Sequence, residues 1–271
     1  VKKMKRIGWF TTGRDEAALL LLEIAYRKIK EGFLPLEIAY VFVSRDPGES
    51  EPSDRLIRVA KEEMGLRVIT FSAKKFMPEL RQTNLEEWRK KYHEEVYRLL
   101  PEEVDFGMLA GYMWIVSKEF CEKIPLLNLH PALPGGPKGT WQEVIWQLIS
   151  ARSAETGVMI HRVTPELDEG PPLTFVRIPI RTAEFLPLWE EAERILLKKH
   201  LSGLKKEEGE KNKLFLKIRE EGVKRELPLI VLTLRALGEE RISFDSPNLP
   251  LDLTQEVEEY LKKQKMTLEA G

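Results

Sequence analysis

One cysteine, Cys121, occurs among the 271 residues, and without a partner thiol it excludes an intramolecular disulfide and a cysteine-based metal framework. No apolar run approaches the ~20 residues that a bilayer-spanning helix needs. Charge of one sign is also lacking. Lys plus Arg number 43 and Asp plus Glu 44, so there is no net field to hold nucleic acid or an anionic membrane. The apolar part of "VKKMKRIGWF" is too short for a secretory signal and is followed by charge at Arg14, Asp15 and Glu16. The Gly-x-Gly-x-x-Gly spacing of a dinucleotide fingerprint is missing from "FTTGRDEAA". These absences imply a soluble cytoplasmic protein, with no nucleic acid and no membrane as partners.

What is present is an alternation of strands and helices. "RIGWFTTG", "LEIAYVFVSR", "LRVITFS", "VDFGMLAGYM" and "LLNLH" read as strands, because β-branched and aromatic side chains suit a pleated surface. Between them, "DEAALLLLEIAYRKIKEG", "SDRLIRVAKEEMG" (N-cap Ser53 or Asp54), "LEEWRKKYHEEVYRLL" and "SKEFCEKI" read as helices. Helical spacing puts Leu85, Trp88, Tyr92, Val96 and Leu99 on one face. After a Pro- and Gly-rich loop come the helix "WQEVIWQLIS", the strand "TGVMIHRVT" and the strand "PLTFVRIPI", which pairs antiparallel through the turn at "PELDEGPP". The expected fold is therefore α/β, a Rossmann-like, doubly wound, mostly parallel sheet over residues 1–182. Residues 183–271 form a mainly helical C-terminal extension, broken by the charge-balanced run "KKEEGEKNK" and ending in a loop and a terminal helix.

Chemistry concentrates at one strand end. In "LLNLHPALPGG", Asn128 and His130 are two apart, so both project to one side of the sheet where Pro131 stops the strand. In doubly wound sheets ligands bind outside the carboxyl ends of strands. Asp168 lies in the turn after the strand that contains His161, and a carboxylate near His130 would orient its ring and favour its protonated form. Asn128, His130 and Asp168 together can bind an oxyanion and move protons. His161 reads equally well as a packing residue or a site residue. His93 and His200, in charged helical stretches, read as surface residues, and Cys121 as an inert buried thiol.

"NLHPALP" followed by "ETGVMIHRVTPELDEGPP" resembles the active-site signature of the folate-dependent formyltransferases, most closely the glycinamide ribonucleotide branch. The resemblance implies Asn128, His130 and Asp168 as catalytic residues. "MLAGYMWIVS" is similar to the strand and turn whose backbone binds the pterin of 10-formyltetrahydrofolate, which implies that role for Met113, Trp114, Ile115 and Val116; "WRKKYHEEV" likewise implies Arg89 near the folate. "RELPLIVLTLRALGEERI" is similar to the family's last helix, with about forty extra residues before it. The implied reaction moves a formyl group from 10-formyltetrahydrofolate, as co-substrate, to an amine by direct attack, with no metal. Phosphoribosylglycinamide is the default acceptor; an amino sugar, hydrolysis of the formyl-folate, or a non-catalytic folate-binding protein are the alternatives. The branch acting on methionyl-tRNA fits less well, because its C-terminal domain is a basic β-barrel whereas residues 181–271 read as helical and charge-balanced.

The first loop, "TTGRDEAA", supplies Thr12, Gly13 and Arg14 as candidate acceptor-binding residues, but it departs from the family's phosphate cradle by placing Asp15 and Glu16 where small polar residues stand. The loop "HPALPGGPKGTW" is also shortened, with Lys138 or Thr140 as candidate anion contacts and Trp141 and Trp114 as aromatic neighbours. The extra helical segment at about 183–222 would suit a lid or a homodimer surface.

Overall fold

The computed structural model describes residues 3–166, 169–245 and 249–270. Asp168 falls outside them. Strand β1 (Lys5–Thr11) leads to helix α1 (Glu16–Lys30), β2 (Leu36–Val43), α2 (Glu51–Arg58), β3 (Val68–Thr70), α3 (Pro78–Thr83), α4 (Leu85–Leu99), β4 (Phe106–Leu109), α5 (Lys118–Lys123) and β5 (Leu126–His130). There follow α6 (Trp141–Ser150), β6 (Glu155–Arg162), β7 (Pro172–Pro179), α7 (Leu186–Glu207), α8 (Lys213–Gly238), β8 (Leu251–Asp252) and α9 (Thr254–Ala270). The strand order is β3-β2-β1-β4-β5-β6-β7-β8, and β6–β7 is an antiparallel pair among otherwise parallel recorded pairs. The expected mostly parallel α/β sheet and the antiparallel β6–β7 pairing are observed.

The chain divides into two compact units. The first runs to Asn128 and includes Arg162–Pro171 and the segment from Leu234. Its centre is β1, flanked by β2 and β4; Trp9 and Phe10, successive residues that point to opposite faces, are both buried, as a strand covered on both faces requires. The chain builds outward from β1 to β2 and β3, then returns to place β4 on β1's other side. That reversal makes β1 and β4 a switch point, and in doubly wound sheets ligands bind outside the carboxyl ends of the strands at such a point. Gly13 turns the chain there with φ +66°, and a Cβ on it would sit 3.1 Å from the Ser53 Cα, so this position needs glycine on both counts.

The second unit comprises Leu129–His161, Pro172–Thr233 and the C-terminal segment. Within it α6 starts in a reciprocal capping box: the Thr140 hydroxyl accepts from the Glu143 amide, and the Glu143 carboxylate accepts from the Thr140 amide. Trp141 and Trp146 of α6 pack on Phe215 of α8, with ring centroids 5.8 and 4.7 Å away. The Arg219 guanidinium covers the Trp141 ring at 4.2 Å. Trp141 thus joins two helices. Thr174 of β7 and Thr233 of α8, both buried, share a hydrogen bond of 2.7 Å.

Some boundaries differ from the sequence reading. Ser50, rather than Ser53 or Asp54, caps α2, because Pro52 fits the first helical turn, where no amide partner is needed. The helix then widens into a π turn at Val59–Glu63. Of the residues expected on one face of α4, Trp88, Tyr92 and Val96 are buried, whereas Leu85 and Leu99, at its two ends, are exposed. His93, expected at the surface, is 1% exposed.

Candidate active site

Strand β5 carries the Asn-x-His pair. Leu126 and Leu127 are fully buried and pair with Gly107 and Met108 of β4, which fixes where the strand ends. Asn128 is half-buried and His130 buried, at 3% exposure. Pro131 lacks an amide and ends the ladder, and the backbone turns through an Ala132 amide to His130 carbonyl bond. The loop then folds back so that His130 Nε2 lies 3.0 Å from the Pro137 carbonyl oxygen. A carbonyl only accepts, so Nε2 carries hydrogen and donates. The His130 and His161 rings stand 6.5 Å apart and nearly perpendicular, and both are buried. This places His161 beside His130, where the sequence left its role open.

The segment after β4 is the second part. Met113 and Ile115 are exposed, Trp114 is half-buried and Val116 buried. The Thr12 amide donates to the Gly111 carbonyl at 3.0 Å, and the Met113 amide donates to Thr12 Oγ1 at 2.9 Å. Thr12 Oγ1 also lies 2.8 Å from Ser44 Oγ. From α4, His93 Nδ1 donates to the Arg89 carbonyl at 2.9 Å, which leaves Nε2 to accept from the Tyr112 hydroxyl at 2.9 Å. Burial pushes the His93 pKa down to about 4, so the ring is neutral. Arg89 is half-buried one turn before it.

Arg81 went unnoticed in the sequence. Its guanidinium lies 5.6 Å from the Trp88 ring and 5.5 Å from the Trp114 ring, and donates to the Ala73 and Lys74 carbonyls. The available signal was its place three residues before Asn84, the cap of α4, in the segment where the six-residue α3 was also missed.

In the first loop Thr12 and Gly13 are buried and Arg14 exposed. Asp15 accepts from the Ala18 amide as N-cap of α1, so a carboxylate already occupies the end of the helix where an anion would dock. Arg14 pairs with Asp15 at 3.7 Å, and Glu16 with Arg55 at 3.9 Å. Of the other candidates, Thr140 serves as a helix cap and the Lys138 carbonyl accepts from Gln147. Cys121 is buried; burial raises its thiol pKa, which suits an unreactive thiol. Among the described residues, no cluster of His, Cys, Asp and Glu is arranged to hold a metal ion.

The sequence profile described as "Formyl transferase" matches residues 50–187, half of the chain. The chain belongs to the formyl transferase family. The match includes Arg89, the segment 113–116, Asn128, His130 and Asp168, and leaves out Thr12–Arg14. A phosphoribosylglycinamide formyltransferase of Dictyostelium discoideum is 32% identical over 50% of this chain and 69% of its own length. One of Schizosaccharomyces pombe is 33% identical over 40% of this chain and 58% of its own, so the match spans less than two thirds of that relative. The fold also superposes on glycinamide ribonucleotide transformylase 1 of Symbiobacterium toebii, with a TM-score of 0.56, 19% identity, and coverage of 92% and 94% of the two chains.

Proposed function

We propose that the chain transfers a formyl group from 10-formyltetrahydrofolate to the amine of a small acceptor, phosphoribosylglycinamide being the one named in its relatives. The observation that carries the proposal is the pair Asn128 and His130 at the end of β5, with the His130 Nε2–H held as a donor, inside the family match. Attack of the amine on the formyl carbon turns the carbonyl oxygen into an oxyanion. The Asn128 side-chain amide and the His130 Nε2–H would donate to it, the latter exchanging the Pro137 carbonyl for the oxyanion. Asp168 would hold the His130 ring and, through it, favour the charged form while a proton passes from the attacking to the leaving nitrogen.

Met113, Trp114, Ile115, Val116 and Arg89 would receive the folate, the first four through their backbone. Gly13 and Arg14 would face the acceptor; the Thr12 hydroxyl is already engaged within the protein. The test is to follow tetrahydrofolate release from 10-formyltetrahydrofolate with and without phosphoribosylglycinamide. Release that depends on the acceptor is expected, and release at the same rate without it would replace transfer by hydrolysis. His130→Ala and Asp168→Asn should each lower kcat by ~100-fold or more while folate binding persists. Near-normal rates in both would remove the assigned triad.

A further inference from the structure

We infer that Thr12 and His93 are positioning residues for the folate co-substrate, which clamp the Gly111–Val116 segment from two sides, Thr12 through the Met113 amide and His93 through the Tyr112 hydroxyl. The inference rests on the folate reading of that segment. From the end of β4 at Leu109 to the start of α5 at Lys118 the backbone has no helix or ladder of its own. Recognition by backbone groups requires those groups to be fixed before the ligand arrives, since otherwise binding pays for ordering them. The fixing has to come from neighbouring elements.

Thr12 supplies it from the end of β1. It is 3% exposed, and it grips the segment twice, by its own amide to the Gly111 carbonyl and by its hydroxyl oxygen to the Met113 amide. Ser44, at the end of β2, holds the same hydroxyl at 2.8 Å and sets its rotamer. His93 supplies the other side. Because Nδ1–H is committed to the Arg89 carbonyl, Nε2 is an acceptor only, and the Tyr112 O–H can point only one way. The same ring therefore ties the backbone of Arg89 to the residue before Met113. The Met113 amide is taken by Thr12, so a bound pterin would be read by the backbone groups that follow it, from the Met113 carbonyl to Val116. The exposed Met113 and Ile115 side chains, 51% and 48% accessible, stand on this segment as apolar surface for a planar ligand.

The test compares Thr12→Val, Thr12→Ser and Tyr112→Phe with the unaltered protein by three readings: the Kd for tetrahydrofolate, the separate KM values of formyl donor and acceptor, and amide hydrogen exchange of residues 111–116. Thr12→Val and Tyr112→Phe should weaken tetrahydrofolate binding and raise the donor KM about ten-fold, with faster exchange in the segment and acceptor KM within about two-fold. Thr12→Ser, which keeps the oxygen, should restore both Kd and KM. Faster exchange with an unchanged Kd would overturn the positioning role, and a rise in acceptor KM alone would move Thr12 to the acceptor site. If the unaltered protein binds tetrahydrofolate but never transfers a formyl group, the proposed activity falls while the Kd comparison still decides the clamp. If it binds no tetrahydrofolate, the folate reading and the clamp fall together.

Discussion

His93 is a titratable ring sealed in an aromatic neighbourhood, with Tyr92 and Phe120 at 5.2 Å and the Tyr112 ring at 6.1 Å. Protonation would add a buried charge and remove the lone pair that the Tyr112 hydroxyl uses. With the folded pKa at about 4 and the unfolded value near 6.5, the unfolded chain binds more protons between these limits. The stability this neutral ring carries is therefore full above about pH 6.5 and declines as pH falls, by about 3 kcal/mol at pH 4. Denaturant unfolding at pH 7.5 and 4.5 should show the loss, and His93→Phe should remove most of the dependence. An equal slope in the variant would place the titration elsewhere. Asp15 makes the second case. Asn caps a helix as well as Asp does but without the charge, so Asp15→Asn should leave stability unchanged and lower the KM of a phosphorylated acceptor several-fold. An unchanged KM would mean that the phosphate docks away from α1.

At the scale of elements, the strands and long helices could be read because their chemistry is local: β1 and β2 are runs of apolar and aromatic residues, and α6 has its cap, acidic third residue and apolar stripe in order. What could not be read depends on partners distant in sequence. β8 is two residues long and exists through pairing with Thr174 and Phe175 of β7, and α3 is a short helix opened by Pro78. His93 stands in the charged stretch "KKYHEE", and nothing there tells that Tyr112 meets its ring. The Asn128 and His130 positions were legible from a strand that ends in Pro, while the Thr12 contacts were not, since they link loops about a hundred residues apart. The capping box of α6 offers a check on local reading. Thr140→Ala should cost about 1 kcal/mol and lower Tm by ~2–4 °C in calorimetry. No change in Tm would show that tertiary packing on Phe215 alone sets the start of this helix.

At the scale of the whole molecule, the near-balance of 43 basic and 44 acidic residues removes long-range steering as a means of capturing an anionic substrate. Many of these charges are also spent on one another at short range: Glu221 of α8 is within 3.3 Å of Lys217, Lys224 and Arg225, and Arg6 reaches both Glu37 and Glu102 at 2.6 Å. The proposed co-substrate and acceptor, a folate and a phosphoribosyl amine, are both anions, so on that reading the chain would recognise them by contacts formed at the site. Interactions over a few ångströms in partly buried surroundings are screened far less than a field acting across a Debye length of roughly 8–10 Å. Raising NaCl from 50 to 200 mM should therefore lower kcat/KM for a phosphorylated acceptor by less than about three-fold, where an enzyme that steers its substrate by net field loses much more. A steeper loss would reveal a local positive funnel and direct attention to Arg14 and Arg55, the cations that flank the first loop; neutralising each in turn would then show which one the acceptor meets on its way in.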